Sequence, residues 1–228
     1  MAILLVQGNK KVAQATSMIL DNVPIAGNVL ILVWGSYAWA PVQPPLTNVV
    51  QTGVTWVRAV FSQSNASSGI NMFYTVDIWY GIVGAGALPT INITGAGGSY
   101  AWDVCEWSGL DLASLLDQTA TSKNVLNTGT TALTTRTVEL WIGGLGGNAA
   151  DASLPTDGFT LLDGVVQNNE CTCYLYKIVS AVGTAYTSVT ALWNGNRCAG
   201  AIATFYGTLP AGGGRGKSKA LKQLLLYT

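Results

Sequence analysis

The sequence predicts an all-β protein, an antiparallel β-sandwich or jelly roll built from two pseudo-repeated halves. Three observations lead there. Apolar and polar residues alternate over short runs, as in half-buried strands. Helical periodicity is scarce. Four blocks of the first half also recur, in the same order, in the second. At 228 residues and 49% hydrophobic side chains, the chain can bury a large core as one unit.

The elements follow in order. MAILLVQGNKK carries its lysines after a short apolar run, whereas a secretory signal places positive charge before a longer one, so no export signal is read there. VLILVWG, 29–35, is apolar on both parities and predicts a central strand covered on both faces. The apolar stretch around it stops at Pro41, too short to cross a bilayer as a helix, so no membrane role is expected. Gly53 opens the apolar strand GVTWVRAV. In YTVDIWYGIV, Tyr74, Val76, Ile78, Tyr80 and Ile82 share one parity, and Thr75, Asp77 and Trp79 take the other. TINIT, 90–94, repeats the alternation with Ile91 and Ile93 inward, and GAGG, 95–98, marks a turn. LDLASLLDQ, 110–118, and the C-terminal KSKALKQLLLYT are the two stretches that admit a helix, the first a single turn at most.

Laid side by side, VLILVWGSY from Val29 echoes VELWIGGLG from Val138, and GVTWVRAV from Gly53 echoes GFTLLDGV from Gly158. YTVDIWYGIVGAG from Tyr74 echoes CTCYLYKIVSAVG, and SYAWDVCEWSG, ending at Gly109, echoes RCAGAIATFYG, ending at Gly207. The expected layout is one sandwich domain over 1–209, with halves at about 20–117 and 138–208 facing each other across one core. The threonine-rich stretch 118–137 reads as an exposed crossover, and 210–228 as a glycine-rich basic tail.

The chain contains no histidine, which excludes Ser-His-Asp and Cys-His nucleophilic sites and His-ligated metals. Asp77, Asp103, Glu106 and Asp111 are the carboxylates that could pair as a glycosidase, but scattered acids on strands are usually structural. GLGGNA, 144–149, matches a dinucleotide fingerprint without the helix it requires, since Pro155 and Gly158 follow. AGGGRGKS, 211–218, approaches a phosphate-binding loop, but the chain holds no later strand to complete the unit. Cys105, Cys171, Cys173 and Cys198 are too few for a disulfide scaffold and read as reduced core residues, with a bridge from Cys171 or Cys173 to Cys198 as the alternative. No enzyme activity, cofactor or metal is expected.

Only 10% of residues are charged and the formal net charge is zero, against about 25% charged in typical chains. Such a surface favours occupation by partners, so the sequence reads as an assembly component. Its concentrated charge is the tail, where Arg215, Lys217, Lys219 and Lys222 precede Leu224 and Leu225 and form a candidate docking arm. Four basic residues without a wider basic patch argue against nucleic acid. Trp56 and Trp79 fall on the less apolar parity of their strands and are the candidates for exposed aromatics, as interface anchors or as platforms for a glycan.

GNVLILVWGSY, GVTWVRAV, the WYGIV strand, YAWDVCEWSGLDLASLLDQTATS, DGFTLLDG, YKIVSAVGT and AGAIATFYG together resemble a β-sandwich family recurrent in tailed-bacteriophage structural proteins and bacterial surface proteins, over roughly residues 20–208. The resemblance implies fold and setting, not chemistry. It implies a virion protein made in the host cytoplasm, a capsid decoration protein binding the major capsid protein or other virion proteins as a homo-oligomer, with a trimer favoured. The competing class is a carbohydrate-binding tail-fibre or adhesin head.

Overall fold

The computed structural model describes residues 2–39, 45–64, 72–95, 98–148, 152–167, 170–191 and 198–208. These residues form strands and no helix. The first half supplies β1 (Leu4–Ala13), β2 (Ser17–Ile19), β3 (Val29–Trp39), β4 (Asn48–Val50), β5 (Val54–Gln63), β6 (Met72–Val83), β7 (Thr90–Thr94) and β8 (Ser99–Ser108). The second supplies β9 (Leu116–Lys123), β10 (Glu139–Asn148), β11 (Ala152–Pro155), β12 (Thr160–Gln167), β13 (Glu170–Val179), β14 (Val189–Ala191) and β15 (Cys198–Tyr206).

Two five-stranded antiparallel sheets face each other, ordered β1-β8-β3-β6-β5 and β12-β13-β10-β15-β9. Ranked by chain position within its own half, each sheet reads first, fifth, second, fourth, third. The blocks that echo one another in the sequence occupy equivalent places: β3 and β10 central, β6 and β13 beside them, β5 and β12 at an edge, β8 and β15 on the other flank. β1 stacks over β12, and β5 over β9.

Strand parity explains three cores. Val29, Ile31 and Val33 of β3, with Val76 and Ile78 of β6, point between the large sheets, where they meet Leu140, Ile142, Tyr174, Ala201, Ala203 and Phe205. The opposite parity of β3, Leu30, Leu32 and Trp34, is equally buried under a small third sheet, β2-β7-β4, through Met18, Val49, Ile91 and Ile93. The outer face of the second large sheet, with Trp141, Leu145, Cys173, Leu175 and Ile202, lies under the β11–β14 ribbon and the segments beside it through Ala185 and Val189. The protein is therefore a sandwich with both outer faces covered, and a fully apolar β3 is what such burial demands. Glycines of β10 let the large sheets approach closely. A Cβ on Gly144 would lie 2.8 Å from Val76 Cγ2 and 2.9 Å from Val33 Cγ1, and one on Gly146 would strike the Thr75 carbonyl.

Several expectations are corrected. Stretch 118–137 is not an exposed crossover: it begins inside β9, an edge strand paired with β15. Threonine is a β-branched strand former, and a threonine-rich run with alternating exposure is what a half-wet edge strand looks like. The first sheet likewise starts at Leu4, ahead of the expected half boundary at residue 20. LDLASLLDQ is a turn running into β9, not a helix. Gly144–Asn148 lies within β10, bonded on both sides, so no phosphate loop forms there. Cys105, Cys173 and Cys198 are buried, and Cys198 is a free thiol that makes no bridge. The 211–218 motif and the tail lie outside the described residues.

Candidate functional site

The two predicted exposed aromatics differ in exposure. Trp79 is only 7% exposed and Trp56 is half-buried, both packed in the core beneath the small third sheet. The Arg58 guanidinium lies 4.7 Å from the centre of the Trp79 ring, donates to Asp77 Oδ1 at 3.1 Å, and donates to the Leu46 carbonyl. The parity that reads as solvent-facing in β6 faces a second core. Arg215, Lys217, Lys219, Lys222, Leu224 and Leu225, the proposed docking arm, lie outside the described residues.

The carboxylates are spent on structure. Glu106 is fully buried and accepts from the Ile25 amide at 2.8 Å and from Asn28 Nδ2 at 2.6 Å on one oxygen, and from Gln7 Nε2 at 2.5 Å on the other. It thereby anchors the 22–28 loop to the first sheet. Asp103 is buried on β8. Asp111 takes Arg136 at 2.5 Å, and that bond is the largest influence holding its carboxyl below the usual range. Burial pushes Asp77 up to about 7 despite the Arg58 charge beside it.

A second acidic cluster escaped sequence reasoning. Asp117 of β9 accepts from Tyr206 Oη at 2.6 Å, the Thr135 amide at 2.7 Å and Gln118 Nε2 at 3.0 Å. Burial raises the Asp117 carboxyl, but these bonds and one from Glu139 together hold it below its ordinary value. Glu139, fully buried, is pushed up to about 7 by burial, although Trp141 Nε1 donates to its Oε2 at 3.0 Å. The neighbouring carboxyls of Glu139 and Asp117 tie β9, β10, β15 and the 133–137 segment together. With its oxygens occupied by protein donors, Asp117 is a clasp and not a general base.

Two surface features stand out among the described residues. One is a groove of about 490 Å³ on the outer side of the second sheet, lined by Thr130, Trp141, Asp157, Lys177, Thr184 and Tyr186. Lys177 Nζ lies 5.4 Å from the centre of the Trp141 ring and donates to the Asp157 carbonyl at 2.7 Å. The groove's far wall is a threonine ladder. The amides of Thr128, Thr131 and Thr134 donate to the carbonyls of Thr187, Ala185 and Gly183, whose own amides donate back to the three Oγ1 atoms at 3.1, 2.8 and 3.1 Å. Threonine at every third position was the sequence signal for it.

The other feature is an apolar rim. β1 ends the first sheet, its outer side unpaired among the described residues, and Leu4, Leu5 and Val6 in succession are 58%, 40% and 40% exposed. Val23 and Ile25 are exposed in the neighbouring loop, which Gln7 holds through Asn22.

Among the described residues no group of three or more His, Cys, Asp or Glu side chains could hold a metal ion, and no helix is long and apolar enough to cross a membrane. Comparison of the chain with protein-family models, with curated proteins and with solved structures found no match.

Proposed function

We propose that the protein is a structural subunit of a larger protein assembly, a virion decoration protein that binds an assembled capsid shell as an oligomer. The observation that carries the reading is the apolar, unpaired edge of β1. The Leu4–Val6 part of this edge strand, which includes the first of its bulges and lies ahead of Lys10 and Lys11, exposes three successive large apolar residues and is a template for another chain. Low overall charge supports the same reading, because little repulsion opposes close packing. The capsid setting rests on the sequence resemblance. Binding contacts made only by the folded subunit on the shell would stabilise both by mass action.

Light scattering on the full chain tests the reading. A discrete oligomer is expected, which the double substitution L4K/V6K converts to a folded monomer, together with co-sedimentation on shells of the major capsid protein that the substitution abolishes. A wild-type monomer that ignores shells refutes it.

A further inference from the structure

We propose that the groove over Trp141 and Lys177 binds a neutral saccharide of one or two rings. The site lies on the second sheet, apart from the β1 edge, and does not depend on the assembly reading. Its volume of about 490 Å³ falls in the range of small-molecule sites, and a hollow of about 370 Å³ adjoins it, sharing Trp141 and Lys177 as a common wall. Trp141 is only 5% exposed and forms the floor between the two compartments, so a ligand with two linked rings would be held by the polar groups around it and not by stacking on its face.

The lining chemistry selects the class. Thr130, Thr184 and Tyr186 offer hydroxyls that both donate and accept. The Lys177 ammonium has three donors, and one is used on the Asp157 carbonyl. The Asp157 carboxylate accepts from Thr156 Oγ1 at 2.6 Å through Oδ2 and keeps acceptor sites for a ligand. One ammonium and one carboxylate in the same groove leave no net charge, so an ion gains from one and loses to the other. A neutral polyol gains from both, through charge-assisted hydrogen bonds.

The site is also held in place. Trp141 is fixed by its bond to Glu139 Oε2 at 3.0 Å, lies 6.3 Å from the Phe159 ring and is approached by Gly183, where a Cβ would lie 3.3 Å from it. Lys177 rests between Trp141 and Phe159, its Nζ 6.0 Å from the latter's ring centre. The threonine ladder fixes the backbone that carries Thr130 and Thr184. Such preorganisation lowers the ordering cost of binding.

Saturation-transfer NMR on the full chain tests the assignment, with glucose, galactose, mannose, N-acetylglucosamine, lactose, maltose and cellobiose as neutral probes, and glucuronate and glucosamine as charged counterparts. Binding of at least one neutral sugar is expected, with K177M and D157N each weakening it roughly tenfold or more. Asn tolerates the positive φ of 56° at position 157, so D157N keeps the turn and decides the matter if K177M does not fold. No transfer to any neutral sugar at about 10 mM, tighter binding of a charged counterpart, or wild-type affinity in D157N overturns it.

Discussion

At the residue scale the consequences come from two buried acids. Glu139 and Asp77 both have folded-state values pushed up to about 7 by burial. A carboxyl raised in this way takes up a proton on folding, so the stability it contributes is complete below its unfolded value near 4 and is lost as pH rises through about 7. At about 1.4 kcal/mol per pH unit of displacement, each group removes about 3 kcal/mol between pH 4 and 8. Urea unfolding is expected to show a midpoint that falls over that window, and E139Q should flatten it by about half. Arg58 gives a second prediction. R58M leaves Asp77 buried without its cation and should cost about 2–4 kcal/mol at pH 8, where the carboxylate is charged, and less at pH 5, where it is neutral. Neither acid was legible as buried. Asp77 sits on the polar parity of β6, and alternation assigns that parity to water unless something covers it; β2, β4 and β7, each three to five residues long, do so.

At the element scale, strands with clean alternation or continuous apolar character, β3, β6 and β7, stand where the pattern put them. The threonine-rich region did not yield to pattern reading, because its order comes from side-chain hydroxyls standing in for backbone carbonyls. Thr131 shows how much rests on that substitution: its buried Oγ1 accepts the Ala185 amide at 2.8 Å. T131V keeps the volume and orphans a buried N–H, so a loss of about 1–3 kcal/mol is expected in thermal or urea unfolding, whereas T131S should retain most of the stability. Because the ladder walls the groove, faster hydrogen exchange at the amides of 183–187 in T131V is the matching local readout.

At the scale of the whole molecule, the two large sheets meet through a close-packed seam in which glycine is a steric requirement. G146A places a methyl against the Thr75 carbonyl, which is backbone and cannot swing aside, and the expected cost is about 1–3 kcal/mol or more. Gly146 is not a positive-φ glycine, so its loss reads the seam, whereas alanine at the solvent-facing Gly86, where a Cβ would meet nothing within 4 Å but φ is +72°, reads backbone conformation alone. Calorimetric melting of both variants separates the two. The alternation in the sequence announced the antiparallel sandwich, but not the covering layers, whose strands are too short to carry a period.

All ladder pairing in the first large sheet comes from residues 4–108, and all of that in the second from residues 116–206. Across the seam the sheets are joined by side chains, such as Trp107 Nε1 donating to Tyr174 Oη at 3.1 Å and Thr172 Oγ1 donating to the Ala101 carbonyl at 3.1 Å. The chain passes between them at the 109–115 turn, whose Leu110 and Leu115 are buried in the shared core. Fragments cut there and synthesised separately would each expose one broad apolar face with a single complementary surface to bury it, and would reconstitute the molecule as a non-covalent heterodimer.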